Sequence, residues 1–148
     1  MSPPAAARPA RVLLVEDNEA DVRLTREALR EAGEDVRLSA VGDGEQALAY
    51  LRRQGGFAEA PRPDLVLLDL NLPRKNGLEV LDEMRAEPPL ASIPVIVLTS
   101  SSARSDVQDA YARGANAFVV NPLELDAFMD LINGIRSFWL ELAQLPSA

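Results

Sequence analysis

The chain has 148 residues, of which 47% are hydrophobic and 26% are charged. This length and balance fit one globular domain with a substantial core, and they exclude a chain that is disordered throughout. The 15 basic and 23 acidic residues give a formal net charge of −8, so neither a nucleic-acid partner nor an anionic membrane surface is expected. The sequence contains neither Cys nor His, which excludes disulfides, thiolate metal sites and imidazole catalysis.

The two ends of the chain carry no recognisable targeting signal. Residues 1–10 (MSPPAAARPA) lack the apolar core of a signal peptide and are predicted to form a flexible tail. No apolar run approaches the roughly 20 residues that are needed to span a bilayer. We therefore expect a cytoplasmic protein with one domain over residues 11–148 and no membrane contact.

Five short apolar segments alternate along the chain with segments of helical periodicity. The predicted strands are residues 11–15, 35–40, 64–68, 94–98 and 117–120. The predicted helices are residues 19–32, 43–54, 78–87, 104–113 and 123–143. The first, third and fourth strands are almost wholly apolar, as parallel strands buried on both faces are, while the second alternates like an edge strand. This order predicts an α/β fold with helices on both faces of one parallel sheet.

Acidic and hydroxyl side chains follow three of the predicted strands at the point where each strand ends. Glu16 and Asp17 follow the first strand, Asp69 follows the third, and Thr99 follows the fourth. The carboxyl ends of parallel strands meet at one edge of a sheet, where ligands bind in open α/β folds. Any one of these residues alone is most simply a turn or helix-cap residue. Together the carboxylates would repel one another unless a cation neutralises them, which predicts a Mg²⁺ site.

Four segments resemble, in order and spacing, the motifs of two-component response-regulator receiver domains. They are residues 12–18 (VLLVEDN), 67–73 (LLDLNLP) with Asn76-Gly77, 97–99 (VLT) and 114–122 (GANAFVVNP). The resemblance implies the flavodoxin-like (βα)5 fold, a doubly wound parallel sheet with strand order 2-1-3-4-5. Residues 137–146 (SFWLELAQLP) further resemble single-domain regulators that partner phytochrome light-sensing kinases. The implied function is a single-domain response regulator of a phosphorelay, phosphorylated by a sensor histidine kinase, with a phytochrome as one candidate.

The resemblance also implies roles for the acidic residues. Asp69 matches the phosphoacceptor, whose carboxylate attacks the phosphorus of a phosphohistidine, and it also matches a metal ligand. The other implied ligands of Mg²⁺ are Glu16, Asp17 and the backbone carbonyl of Asn71. Phosphoryl transfer at such a site depends on positioning and on cations that balance the phosphoryl oxygens.

Two further residues match the switching elements of the family. Thr99 matches the hydroxyl that hydrogen-bonds the phosphoryl group and moves toward it. Phe118 matches the aromatic switch residue, which turns inward when Thr99 moves. An aromatic residue in a short apolar strand is also typical of plain core, so only the resemblance indicates switching for Phe118.

One position departs from the family. Asn121 stands where receiver domains normally have a Lys that contacts the phosphoryl group, and its amide cannot supply a positive charge. Replacing a charge-assisted contact by a neutral one should cost on the order of 1 kcal/mol. Arg74, Lys75 and Arg104 are candidates for a compensating charge. The substitution is interpreted as tolerated in a working receiver, since the nucleophile, acidic pair and hydroxyl are intact.

The last predicted helix is long enough to extend past the sheet. Residues 123–143 would measure about 30 Å as a continuous helix, against about 20 Å for a typical strand. Phe138, Trp139 and Leu142 are therefore expected to leave the domain surface and to form an interface, although they could also fold back onto their own domain. The prediction is a symmetric homodimer formed by the fourth helix, fifth strand and fifth helix.

Two other classes of function compete with the receiver interpretation, under which the chain is not an enzyme acting on a separate substrate. A phosphohydrolase with an aspartate nucleophile needs a second Asp two residues after the first, where this chain has Asn71, and a Lys elsewhere, for which Lys75 is poorly placed. An interaction module that keeps the fold without being phosphorylated has Asn121 as its only support.

Overall fold

The computed structural model describes residues 9–31 and 36–146. Within them, parallel strands form one five-stranded sheet in the order β2-β1-β3-β4-β5. The strands are β1 Ala10–Val15, β2 Val36–Val41, β3 Leu65–Leu68, β4 Val95–Thr99 and β5 Ala117–Val120. The predicted strand order and edge strand are confirmed. Most of the predicted N-terminal tail, residues 1–8, lies outside the described residues.

The helices connect successive strands, as in a doubly wound fold. They are α1 Glu19–Glu31, α2 Gly44–Arg52, α3 Gly77–Ala86, α4 Arg104–Ala112 and α5 Leu125–Ile135, with a 3₁₀ turn at Gly55–Phe57 and a π-helical segment at Arg136–Leu142. Residue 32, the predicted end of the first helix, lies outside the described residues. Among the described helices, none is long and apolar enough to cross a membrane.

The sheet separates two hydrophobic clusters because alternate residues of a strand point to opposite faces. Leu13 and Val15 of β1 belong to a cluster that α2 and α3 cover, whereas Val12 and Leu14 belong to a cluster that α1 and α5 cover. All four residues of β3 are buried, which explains the continuous apolar run that the sequence shows there. This packing holds the carboxyl ends of β1, β3 and β4 in fixed relative positions.

The first turn of α3 lies in close contact with the segment that follows β3. The Asn76 side chain accepts a hydrogen bond from the Glu79 backbone N–H at 3.0 Å, and the Glu79 carboxylate accepts one from the Asn76 N–H, also at 3.0 Å. A Cβ atom at Gly77 would lie 2.5 Å from the backbone oxygen of Asp69. Glycine at position 77 therefore lets the helix approach the Asp69 backbone closely.

The prediction of one continuous last helix over residues 123–143 is wrong. The α-helix begins at Leu125 and ends at Ile135, and the π-helical segment follows it. The wider turn is accompanied by a buried guanidinium, that of Arg136, which donates to Asn133 Oδ1 at 3.1 and 3.3 Å and pairs with Glu141.

The π-helical segment also corrects the predicted exposure of Trp139. Trp139 is half-buried and packs with Leu140 against the cluster covered by α1 and α5, so it does not leave the domain surface. Phe138 and Leu142 are 52% and 77% exposed, as predicted. The Phe138 ring stands edge-on to Trp139, with 5.4 Å between the ring centroids.

Candidate functional site

The structure brings the three acidic residues together at the carboxyl edge of the sheet. Glu16 and Asp17 follow β1 and Asp69 follows β3, and these strands are neighbours paired from Val12 with Leu65 to Val15 with Leu68. One carboxylate oxygen from each of the three residues lies within 4.8 Å of the others. Adjacent strands in a parallel sheet thus create the cluster that the strand ends predict.

Backbone hydrogen bonds hold these residues in place. The Asp69 N–H donates to the Val15 carbonyl at 3.0 Å, which extends the β1–β3 pairing to the acidic residue. The Asn71 N–H donates to Asp69 Oδ1 at 3.2 Å, and the Asn18 N–H donates to Glu16 Oε2 at 3.1 Å. Each carboxylate is therefore oriented by the turn that follows its own strand.

Two of the carboxyl groups have raised pKa values because Glu16 is buried and Asp69 is half-buried beside like charges. Burial and the neighbouring Asp69 carboxylate raise the pKa of Glu16 to about 8, despite a hydrogen bond from the Asn18 backbone. Burial also raises the pKa of Asp69, and the Asp17 carboxylate adds to this rise, while hydrogen bonds from the Asn71 backbone and from Thr99 oppose it. A positive charge at this position would relieve the cost of ionising both groups.

The donor set and the space beside it suit a hard divalent cation. Carboxylate and carbonyl oxygens are the ligands that such ions prefer, and an ion that keeps several waters needs few protein ligands. Asp17 is exposed, and it lines a cavity of about 570 Å³ that leaves room for those waters and for a transferred group. The other residues that line the cavity are Leu70, Asn71, Leu72, Pro73, Asn76, Leu78 and Asp106.

Thr99 completes the site from the neighbouring strand. It is the last residue of β4, which pairs with β3, and it is 1% exposed. A hydrogen bond with the Thr99 side chain lowers the pKa of Asp69. The Thr99 hydroxyl is therefore beside the Asp69 carboxylate.

Asn121 has an unsatisfied amide. Its backbone N–H donates to the Thr99 carbonyl at 2.7 Å, but its buried Oδ1 has no hydrogen-bond partner among residues 9–31 and 36–146. A buried polar atom without a partner costs stability, so the amide is poorly accommodated at this position.

Two of the three cations suggested as replacements for the missing lysine are engaged elsewhere. Lys75 pairs with Glu83, which also accepts a bond from Arg52. Arg74 is largely exposed and lies 3.6 Å from Asp43 Oδ2. Lys75 is thus held by α3 and does not supply the charge, and of these three candidates only the exposed Arg104 has no side-chain partner within the described residues.

Phe118 is linked to the surface by a residue that the sequence analysis missed. Phe118 is half-buried on β5 and packs against the cluster covered by α2 and α3. Its backbone N–H donates to the Tyr111 hydroxyl at 3.1 Å, and Tyr111 is 49% exposed on α4. Only the fold reveals this contact, because nothing in the helical pattern of α4 distinguishes Tyr111.

The abnormal pKa of Glu16 predicts how stability depends on pH. Since the folded-state pKa lies at about 8 rather than at its ordinary 4.5, the folded chain binds a proton more tightly than the unfolded chain between these values. The free energy of unfolding without divalent ions is therefore expected to fall as the pH rises through this interval. Urea denaturation in EDTA at a series of pH values measures this.

The matched variants for this measurement are Glu16→Gln and Glu19→Gln. Glu16→Gln should flatten the decline, whereas Glu19→Gln removes an equivalent but exposed charge and should preserve it. If the free energy of unfolding of the native chain instead rises over the same pH interval, Glu16 is not a buried acid that lacks a compensating positive charge.

Comparison with known proteins identifies the class to which this fold and site belong. The response regulator receiver domain family matches residues 12–133. The chain belongs to this family, and it is thus a two-component signalling protein rather than an enzyme with a separate substrate. Its class of partner is a sensor histidine kinase, and receiver domains bind a divalent metal ion.

Two relatives within the family are similar to this chain over most of its length. Response regulator Rcp1 of Synechocystis sp. is 44% identical over 140 residues, covering 95% of this chain and 95% of Rcp1. The polar-differentiation response regulator DivK of Brucella anthropi is 32% identical over 125 residues, covering 84% of this chain and 94% of DivK.

Two solved structures are similar over almost the whole chain. The phosphorylated cyanobacterial phytochrome response regulator RcpA has a TM-score of 0.91 at 44% identity and covers 94% of this chain and 99% of its own. The Mn²⁺-bound form of Rcp1 has a TM-score of 0.89 at 44% identity and covers 94% of this chain and 100% of its own.

Proposed function

We propose that the protein receives a phosphoryl group on Asp69 from a sensor histidine kinase of the phytochrome type, with Mg²⁺ as the metal. The observation that carries this proposal is the placement of the Asp69 carboxylate. It lies beside Glu16 and Asp17 on one side and is hydrogen-bonded with Thr99 on the other. A nucleophilic carboxylate, a cation site and a hydroxyl donor are thus gathered around one point.

The proposed transfer is a displacement at phosphorus. An Asp69 carboxylate oxygen attacks the phosphorus of a phosphohistidine, a P–O bond forms as the P–N bond breaks, and the imidazole departs with the bonding electron pair. Glu16, Asp17, Asp69 and the Asn71 backbone carbonyl would hold Mg²⁺, and the ion would supply positive charge to balance the phosphoryl oxygens. The Thr99 hydroxyl donates a hydrogen bond to one of these oxygens, and Phe118 packs inward as Thr99 moves.

The kinase class and the extent of the domain rest on similarity. Rcp1 and RcpA match the chain over nearly their whole length, and RcpA is a phytochrome response regulator. Residues 11–148 would then form the receiver with its C-terminal helical extension, except that its first strand already begins at Ala10, the last residue of the predicted tail. The protein would act in the cytoplasm, because phosphohistidine is formed there with ATP.

Phosphotransfer from a purified kinase tests this function. A phytochrome-type histidine kinase, labelled on its histidine with radioactive ATP, should lose its label to this chain within minutes when Mg²⁺ is present. Retention of the label on phytochrome-type kinases, together with transfer from a histidine kinase of another sensor class, would contradict the phytochrome assignment. Failure with every kinase would contradict the phosphorelay function itself.

The exposed apolar side chains support the proposal of a homodimer. They lie on α4, β5, α5 and the segments beside α5, and they are Tyr111, Val120, Leu123, Leu125, Phe138 and Leu142. Apolar side chains of this size gathered on one side of a domain are typical of an interface. In such a dimer Trp139 would pack against the Phe138 ring within its own subunit, and it would not make the central contact between the subunits.

Light scattering at micromolar concentration tests the dimer. The native chain is expected to show twice its monomeric mass, and the double variant Phe138→Glu with Leu142→Glu should be monomeric, since it would bury charges at the interface. The matched control is Ala58→Glu, which adds an exposed charge just after the 3₁₀ turn that follows α2, an element outside the proposed surface, and it should remain dimeric. A monomeric native chain would overturn the proposal.

Restoring a lysine at position 121 tests whether the site works without it. The Asn121→Lys variant is expected to bind beryllofluoride about fivefold more tightly, since a charge-assisted contact adds about 1 kcal/mol. Asn121→Gln keeps a neutral amide and should not tighten binding. Calorimetry with Mg²⁺ and beryllofluoride measures the affinities.

The same experiment examines the second candidate function, a phosphorylation-independent interaction module. The unpartnered Oδ1 of Asn121 is the observation that favours this alternative. If Asn121→Lys binds beryllofluoride and the native chain does not, the module is favoured. If both bind equally with equal phosphoryl lifetimes and metal affinities, Asn121 has little influence on the site.

A further inference from the structure

A second polar cavity lies at the opposite edge of the sheet, below the amino ends of β1 and β2. Its volume is about 390 Å³, which is within the range of small-molecule sites. Arg11 precedes Glu16 by five positions along the chain, so the cavity is about 16 Å from the acidic cluster at the strand rise of β1. The lining residues are Arg11, Val12, Arg37, Leu38, Ser39, Tyr50, Pro61 and Pro63.

Two arginines of this cavity are direct neighbours across the sheet. Arg11 of β1 is paired in register with Arg37 of β2, so both side chains project from the same face of the sheet. Within residues 9–31 and 36–146, neither guanidinium has a hydrogen bond or an ion pair. Like charges at paired positions destabilise a sheet. Water screens part of this repulsion at the exposed Arg37, and an anion bound between the two groups would remove the rest.

The cavity is also lined by a side chain that can donate a hydrogen bond to a ligand. The Tyr50 hydroxyl donates to Ser39 Oγ at 3.0 Å, which leaves the proton of the Ser39 hydroxyl available to a ligand. Tyr50 is buried and its ring packs against Phe57, so this wall is held firmly. Among residues 9–31 and 36–146 no carboxylate lines the cavity, although Asp64, just outside its lining, accepts a hydrogen bond from the Arg11 backbone N–H at 2.9 Å.

We propose that this cavity binds a phosphate dianion, carried by a small molecule or free, between Arg11 and Arg37. The charges of the two guanidiniums match those of the dianion, and their planar forks suit its oxygens. The Ser39 hydroxyl donates to a further oxygen. The rings of Pro61 and Pro63 form a rigid part of the cavity wall. The volume of the cavity leaves space for an organic group beside the phosphate. The site is separate from the proposed phosphorylation site and does not depend on it.

Calorimetric titration at low ionic strength, with EDTA present, tests this site apart from the metal centre. Inorganic phosphate and glycerol phosphate are the probes, and chloride at matched ionic strength is the control. Saturable binding of at least one phosphate species is expected. Tighter binding of glycerol phosphate would identify an organic phosphate as the occupant, and tighter binding of inorganic phosphate would identify the free ion.

Variants of the two arginines decide whether the cavity is responsible. Arg37→Gln and Arg11→Gln should each weaken binding about tenfold or more, since each removes charge-assisted hydrogen bonds. Arg37→Lys keeps the charge but loses the fork, and it should bind with intermediate affinity. Arg23→Gln, on the exposed surface of α1, should bind phosphate like the native chain.

Thermal unfolding without phosphate gives an independent reading. Arg37→Gln should not lower the melting temperature, because it removes a repulsion, but it should abolish the rise that phosphate produces in the native chain. A lower melting temperature for Arg37→Gln would show that the chain neutralises Arg37 by itself and would overturn the proposal. Absent saturation, or an equal loss with Arg23→Gln, would also overturn it.

Discussion

Replacing Asp69 with Asn is expected to abolish phosphotransfer, with a loss of at least about a hundredfold in rate. The amide lacks the carboxylate oxygen that we propose as the nucleophile, and no other described carboxylate is hydrogen-bonded with both the Asn71 N–H and Thr99. The variant should also be more stable than the native chain without metal, since burial raises the pKa of Asp69 and ionising it is costly. Phosphotransfer from a labelled kinase and thermal unfolding in EDTA measure the two effects.

The matched control for Asp69→Asn is Asp106→Asn. Asp106 also lines the cavity beside the acidic cluster, but it lies on α4 and accepts a hydrogen bond from Ser101 instead of joining the cluster. This control should accept the phosphoryl group at nearly the native rate. Residual transfer to Asp69→Asn at a rate close to that of the control would show that another residue is the acceptor.

Replacing Asp17 with Asn is expected to weaken Mg²⁺ binding by at least about tenfold, since even residues that only support metal ligands contribute tenfold to a hundredfold. Asp17 is the exposed member of the cluster and faces the cavity, so its carboxylate is free to reach the ion directly. Glu16, in contrast, is buried and must release a proton when the ion binds, because its pKa is about 8. Calorimetric titration with Mg²⁺ measures the affinity.

The control for Asp17→Asn is Glu19→Gln, which removes the same charge two residues later in the exposed first turn of α1. Its Mg²⁺ affinity should change by less than about threefold, as expected for a screened surface charge. If the two variants lose Mg²⁺ affinity equally, Asp17 contributes only to the overall negative potential of the surface and does not bind the ion directly. Phosphotransfer to Asp17→Asn should recover when Mg²⁺ is raised in proportion to the lost affinity.

The strand ends explain why so much of the site is predictable from the sequence. Long apolar runs reveal β1, β3 and β4 because buried parallel strands need apolar side chains on both faces. Residues that follow such runs must meet at one edge, so Glu16, Asp17, Asp69 and Thr99 can be grouped without coordinates. Right-handed crossovers then leave few topologies, and the particular strand order 2-1-3-4-5 follows from the resemblance to receiver domains.

Features that depend on pairing between distant side chains are not predictable in this way. The engagement of Lys75 by Glu83 depends on the path of the chain before α3, and the Tyr111–Phe118 contact depends on how α4 lies against β5. The registered pair Arg11 and Arg37 requires the alignment of β1 with β2. None of these contacts produces a periodic pattern in the amino-acid sequence.

The last helix shows the limit of periodicity itself. Residues 125–142 have an apolar pattern that continues through Ile135, so the sequence gives no sign that hydrogen bonding changes there. The π-helical segment arises where the buried Arg136 is held by Asn133 and Glu141. The widened turn seats Trp139 and Leu140 against the domain.

Intact mass after treatment with acetyl phosphate tests the central claim most directly, namely that Asp69 is a metal-dependent phosphoacceptor. The native chain, incubated with and without Mg²⁺, is predicted to gain the mass of one phosphoryl group only when Mg²⁺ is present. The added mass should map to the peptide that contains Asp69. A chain that binds Mg²⁺ and gains no phosphoryl group would contradict the account.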